Sequence, residues 1–155
     1  MSTFLKLPPR IKVLEALSAV VAGRVKVIDD KLCKVTSSDG SRVYTVYVDL
    51  SKGEVYSDDN GTRYRNYIGY PIIAFLMVKG VLPIDNELGK ALADIPWRKL
   101  NEMYKKYETV LNIIYEKLEK EHNIPRSKAE HYMNIVLKEL SKLKLRKLEN
   151  PPLPS

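Results

Sequence analysis

Four short runs of β-forming residues follow one another between residues 24 and 57, and turn residues separate them. The runs are RVKVI, LCKVTS, RVYTVYVDL and GEVYS. Both faces of the third run are largely apolar, which is typical of a strand covered on each side. Asp29–Asp30 and Asp39–Gly40 are predicted hairpin tips, and Asn60–Gly61 after the last run predicts a type I′ turn. The pattern predicts a small antiparallel sheet.

Helical periodicity flanks this sheet on both sides. From Ile11 to Val21 apolar residues recur at helical spacing, and Gly23 follows where a helix would end. Pro71 is suited to the first turn of a short apolar helix, IIAFLMVKG, and Asp85 to the N-cap of another. The sequence therefore combines a sheet with flanking helices.

A longer helical region begins at Trp97. Its apolar residues, spaced by three and four, predict one long helix with this seam: Leu100, Tyr104, Tyr107, Leu111, Ile114 and Leu118. HNIP interrupts the pattern, and Ser127 with Glu130 matches a capping box. The second predicted helix has an apolar face of Met133, Val136, Leu140 and Leu143. Two such helices joined by a short turn predict an antiparallel αα-hairpin.

The predicted fold class is α+β: a small antiparallel β-sheet with flanking helices, followed by a C-terminal antiparallel αα-hairpin. We expect an α+β module over residues 10–82 and a helical region over residues 83–149. The proline-rich residues 150–155 are predicted to be a flexible tail.

The composition restricts which cellular environment and which binding partners we expect for this protein. The net charge of +7 and the pI near 9.4 favour polyanionic partners. The single cysteine, Cys33, excludes an internal disulfide and a Cys-based zinc site. No apolar segment is long enough to span a membrane, so we expect a soluble, cytoplasmic protein with no membrane partner. The absence of Gln, with abundant Lys, Glu, Ile and Tyr, is typical of a thermophilic source and favours an archaeon.

The order of elements over residues 15–80 has a counterpart in a known family. A helix is followed by a Gly-Arg-Val step at residues 23–25, by VTSS, by an alternating strand at residues 44–48 and by the apolar helix IIAFLM. This succession resembles a SWIM-type zinc-binding domain. The resemblance implies a DNA-binding or protein-interaction module.

The resemblance also implies where metal ligands would stand. Tyr56 and Asp58 fall at the two positions of the CxC motif, and Gly69 and Pro71 fall at those of the CxH motif. Only Asp58 has a side chain that can bind a metal, and it cannot hold one alone. We therefore expect a degenerate, metal-free version of the domain, with no metal and no cofactor.

The tyrosines near these positions have two interpretations. Losing a structural zinc removes a contribution on the order of 10 kcal/mol, which packed rings would have to replace. Alternatively, the interleaved arginines and tyrosines stack on unpaired bases and contact phosphates. The packing set is Tyr56, Tyr64, Tyr67 and Tyr70, and the binding set is Arg63, Tyr64, Arg65, Tyr67 and Tyr70.

The C-terminal region carries further candidates. Its basic residues either contact a nucleic-acid backbone or form the solvated face of a helix: Lys138, Lys142, Lys144, Arg146 and Lys147. Leu145 and Leu148 lie off the predicted seam and suggest a protein interface. Trp97 is either an anchor of that interface or a core residue.

Catalytic motifs are absent from the sequence. It has no glycine-rich phosphate loop and no nucleophile elbow, and His122 and His131 lack further ligands for a metal. We expect no enzymatic activity and no small-molecule substrate. The predicted function is a nucleic-acid-binding accessory protein, for DNA or RNA, in replication, repair or transcription machinery. The alternative is a protein–protein adaptor or homodimerising subunit that acts through the C-terminal helices.

Overall fold

The computed structural model describes residues 3–152. Over this range it contains six strands: β1 (Thr3–Phe4), β2 (Val25–Val27), β3 (Leu32–Thr36), β4 (Val43–Asp49), β5 (Glu54–Ser57) and β6 (Arg146–Lys147). The same range contains seven helices: α1 (Ile11–Val21), α2 (Asn60–Arg65), α3 (Tyr70–Val78), α4 (Asn86–Leu92), α5 (Trp97–Tyr104), α6 (Tyr107–His122) and α7 (Arg126–Ser141). The α+β class is confirmed.

The six strands form one sheet in the order β1-β6-β5-β4-β3-β2. Strands β2 to β5 pair as consecutive antiparallel hairpins, with Asp29–Asp30 and Asp39–Gly40 in the first two connections, as predicted. Strand β6 differs from the expected antiparallel sheet because it pairs parallel to β5 and antiparallel to β1. A parallel neighbour requires a long crossover, and the chain from α2 to α7 provides it.

The turn predicted at Asn60–Gly61 is wrong, because Asn60 begins helix α2. The Asp59 carboxylate accepts a hydrogen bond from the Thr62 backbone N–H at 3.0 Å, which caps the helix. Asn66 then ends the helix in the left-handed conformation, with φ of 58°.

The predicted long helix from Trp97 is also wrong. Lys105 adopts a left-handed conformation (φ 53°) and Lys106 an extended one, so the chain forms α5 and α6 instead. A left-handed non-glycine residue costs about 1–2 kcal/mol. The break lets Leu111 and Ile114 of α6 reach the core, which compensates for that cost.

The start and end of the last helix differ from the prediction. Pro125 precedes the first helical residue with a suitable φ of −70°, so Ser127 lies inside α7 and does not cap it. The helix ends at Ser141, which leaves Leu143 beyond it and only partly buried. The following chain is extended because its backbone N–H groups bond to β5 and the turn before it: Arg146 N to Gly53 O and Leu148 N to Val55 O, both 2.7 Å.

One hydrophobic core runs through both predicted segments. It includes Leu14 and Phe75 from residues 10–82 and Trp97 and Met133 from residues 83–149. Burying a side chain of this kind contributes about 1.5–3 kcal/mol. The two segments therefore pack as parts of one structure. The predicted tail, residues 150–155, lies partly outside the described residues.

Candidate nucleic-acid interface

A buried polar network joins the end of β5 to the start of α3. The Asp59 carboxylate accepts hydrogen bonds from the Ser57 hydroxyl and the Thr62 N–H, and the Gly69 N–H donates to Thr62 Oγ1 at 3.1 Å. A β-carbon added at Gly69 would lie 2.0 Å from Asp59 Oδ2, so only glycine fits there. The hydrogen bonds of this network join the two elements.

This network occupies the region where the resemblance places metal ligands. Asp58, at a predicted ligand position, accepts a hydrogen bond from the Thr45 N–H of β4 at 2.9 Å. The carboxylate next to Gly69 belongs instead to Asp59, which the sequence analysis missed. Its signal was an Asp just before a helical segment, the usual N-cap pattern. Among residues 3–152, no group of three or more His, Cys, Asp or Glu is arranged to hold a metal. The likeness to a SWIM-type domain stays a prediction.

The four tyrosine side chains of this segment differ in how deeply they are buried. Tyr56 and Tyr70 are buried, and the Tyr70 ring meets the Tyr44 ring edge-on at 6.0 Å. Burial raises the pKa of Tyr70 above its ordinary value. Tyr67 is half-buried against Gly61, whereas Tyr64 is 71% exposed. The packing interpretation therefore describes Tyr56 and Tyr70 and is wrong for Tyr64.

Two of the predicted basic groups meet at helix α2. Arg63, Tyr64 and Arg65 are all exposed on α2. Lys147 of β6 donates to Asn66 Oδ1 at 2.6 Å and to the Arg63 carbonyl at 3.3 Å. We call Arg63, Tyr64, Arg65 and Lys147 the α2 patch.

The remaining basic candidates are not on helix α2. Lys138 and Lys142 belong to the α7 region, where Lys142 pairs with Glu139 at 3.1 Å. Lys144 is exposed in the extended chain after α7. Arg146 pairs with Glu54 of β5 at 3.5 Å. The predicted single helical face of these residues is corrected, because Lys144, Arg146 and Lys147 lie beyond the helix.

The predicted protein interface is also corrected. Trp97 is 1% exposed and Leu145 is 3% exposed, so both side chains already pack in the core of their own chain. Leu148 is partly buried, and its backbone N–H bonds to Val55. Two of the three proposed anchors of an adaptor are therefore not on the surface.

A polar cleft of about 330 Å³ lies next to the α2 patch. Its walls come from α1, the β3–β4 connection, β4, α2, the chain from α2 to the start of α3, α5 and α6. They include four cations and three carboxylates as well as tyrosine rings: Lys12, Arg42, Arg65 and Arg98, then Glu15, Asp59 and Glu102, then Tyr67 and Tyr107. From the sequence, Arg65 and Tyr67 are binding candidates and Tyr107 is a residue of the predicted helical seam, whereas Lys12, Arg42 and Arg98 were not singled out. These residues are far apart in the sequence, and no local pattern connects them.

Lys12 is held rigidly inside this cleft. Its side chain is 12% exposed, and its Nζ lies 3.0 Å from Glu15 Oε1 and 5.0 Å from the centre of the Tyr107 ring. Burial alone would lower the pKa of Lys12, but Glu15 and the hydroxyls of Tyr67 and Tyr107 raise it above its ordinary value. Lys12 is therefore charged at neutral pH. The Tyr67 and Tyr107 hydroxyls lie 3.3 Å apart.

Sequence comparison places the chain in a family. A family profile described as "Uncharacterised conserved protein UCP014422" matches residues 5–146. The chain belongs to this family. The match spans both predicted segments and includes the α2 residues of the patch, and it ends one residue before Lys147. Curated proteins and solved structures show no match to the chain.

Within the described range of residues 3–152, no helix is long and apolar enough to cross a membrane.

Proposed function

We propose that this protein binds nucleic acid without catalysing a reaction on it, and that the α2 patch contacts the strand. The observation that carries the proposal is the exposure of Tyr64, at 71%, between two exposed arginines. A tyrosine ring in solvent beside guanidinium groups suits stacking on an unpaired base and contact with its phosphates.

The charges of the patch support a polyanionic ligand. Neither Arg63 nor Arg65 forms an ion pair with a carboxylate among the described residues. Arg63 bonds only to neutral groups: its side chain donates to the Tyr56 hydroxyl at 3.3 Å and also bonds to Tyr64. Their charges are therefore available to phosphates, in contrast to that of Arg98, which pairs with Asp39 and Glu102. An accessory role in replication, repair or transcription machinery, for DNA or RNA, is part of the proposal.

The test measures the affinity for fluorescently labelled single-stranded and duplex oligonucleotides at two salt concentrations. Phosphate contacts from Arg63, Arg65 and Lys147 predict a slope of log affinity against log salt of about −2 for a single strand. Arg63→Ala/Arg65→Ala should bring this slope to about −0.7. Tyr64→Ala should weaken single-strand binding about fivefold or more, with little effect on the salt slope.

Lys26→Ala/Lys90→Ala is the matched control, because it removes two exposed positive charges from β2 and α4. The control should bind nearly as the wild type does. An equal loss in this variant would attribute binding to net charge and contradict the patch. No binding at low salt would contradict the function itself.

A further inference from the structure

We propose that the cleft beside the α2 patch receives one unpaired nucleotide of the bound strand. The inference rests on the proposed function and adds a site with its own ligand. A volume of about 330 Å³ lies at the lower end of the range of small-ligand sites, about 300–1,000 Å³. The cleft therefore suits a single nucleotide better than a longer stretch.

The cleft and the patch are continuous through helix α2. Arg65 belongs to both, and Asn60 and Gly61 at the start of the same helix line the cleft. A strand whose bases meet Tyr64 thus runs past the mouth of the cleft. One base of that strand can turn into the cleft while neighbouring nucleotides stay on the α2 patch.

The aromatic wall of the cleft is suited to a base. Tyr107 is 43% exposed, and its hydroxyl lies 3.3 Å from that of Tyr67, which fixes the ring orientation. The Lys12 Nζ lies 5.0 Å from the centre of the same ring. A ring that is already ordered loses little conformational entropy on stacking, so binding is favoured.

The cations at the cleft are suited to the phosphate of the same nucleotide. Arg42 and Arg65 are exposed, and neither makes a side-chain hydrogen bond or ion pair with the described residues. Guanidinium groups bind phosphate through paired N–H donors. Asn101 in the cleft wall has a buried side-chain oxygen without a partner in the described part of the chain. Unsatisfied buried acceptors are uncommon in folded proteins, and this one can accept a hydrogen bond from a donor on the ligand.

The experiment uses the full chain and two probes, a labelled oligodeoxyadenylate strand and adenosine 5′-monophosphate. Tyr107→Ala should weaken binding of the strand about fivefold or more, because a stacked base is lost. Tyr104→Ala is the matched control: Tyr104 is 40% exposed on α5 and lies outside the cleft, and its removal should leave the affinity unchanged. Adenosine 5′-monophosphate should shift the backbone amide NMR signals of Gly61 and Asn101.

A second variant, Arg42→Ala, covers the case in which Tyr107→Ala does not fold. Arg42 is exposed, so its loss should leave the fold intact, weaken binding of the strand and reduce the shifts caused by the mononucleotide. If the strand binds and Tyr64→Ala weakens it, but the cleft variants and the mononucleotide have no effect, the cleft proposal is overturned and the α2 patch stands. If the wild type binds no strand, both proposals fail.

Discussion

The Asp59 network and the three α2 residues of the α2 patch lie in the same short segment of the chain, and they differ in whether their side chains are buried. In the network, Asp59 and Thr62 find their partners within the protein and are buried. In the patch, Tyr64 and Arg65 are exposed, and the Arg65 side chain has no hydrogen-bond partner in the described part of the chain. Satisfied polar groups hold the fold together, whereas unsatisfied exposed ones are free to bind a ligand.

The largest expected effect is on stability and concerns Trp97, a core residue that was also a candidate interface anchor. Trp97→Ala should lower the free energy of unfolding by about 3–5 kcal/mol, because it leaves a large cavity. Trp97→Phe should cost less, since it keeps a ring and removes an indole N–H that has no partner among residues 3–152. Urea denaturation measures both. An unchanged stability of Trp97→Ala would mean that Trp97 does not lie in the core.

The second-largest expected effect is on stability and tests the Asp59 network. Gly69→Ala should destabilise the protein by about 3 kcal/mol, because its β-carbon would collide with the buried Asp59 carboxylate. Gly80→Ala is a control with open space around it, and its left-handed φ of 80° predicts a cost of about 1 kcal/mol. In the Asp59→Ala background, the penalty of Gly69→Ala should fall, as a double-mutant cycle would measure. Additive penalties would contradict the contact.

A substitution in the α2 patch should weaken binding and leave the stability of the fold almost unchanged. Tyr64→Ala should change the free energy of unfolding by no more than about 0.5 kcal/mol, because the exposed ring packs against little. The same variant should lose affinity for single strands, as proposed above. Denaturation and binding measured on one preparation separate the two effects, and a large loss of stability would place Tyr64 with the packing residues.

The smallest expected effect concerns Asp39, a carboxylate that is exposed but has hydrogen-bond partners within the protein. Hydrogen bonds from the Ser41 hydroxyl and backbone N–H lower the pKa of Asp39 from 3.8 to about 2. Its contribution to stability is therefore complete above pH 4 and is lost as the pH falls towards 2. Asp39→Asn should be slightly less stable than the wild type at pH 6, and the difference should shrink as the pH falls from 4 towards 2. Melting temperatures across this range test the prediction, and a constant difference would contradict it.

The hairpins from β2 to β5 and helices α1 and α3 could be predicted because their signals are local. Asp39–Gly40 specifies a turn within a few residues, and the alternation in β4 extends over only seven residues. In the site, the sequence singled out Arg63, Tyr64 and Arg65 as a basic-aromatic group. It could not separate packing from exposure, because the burial of each tyrosine depends on what packs over it.

The sequence by itself determined the α+β class, the hairpin turns at Asp29–Asp30 and Asp39–Gly40, the basic charge and the candidate residues on α2. Only the tertiary structure decided which of those residues are open, where the helix after Trp97 breaks and that the C-terminal chain becomes a strand. Strand β6 forms because the Arg146 N–H donates a hydrogen bond to the carbonyl of Gly53. Gly53 is far from Arg146 in the sequence. That bond brings Lys147 to helix α2. Such contacts depend on the packing of distant segments, and no local pattern of residues encodes them.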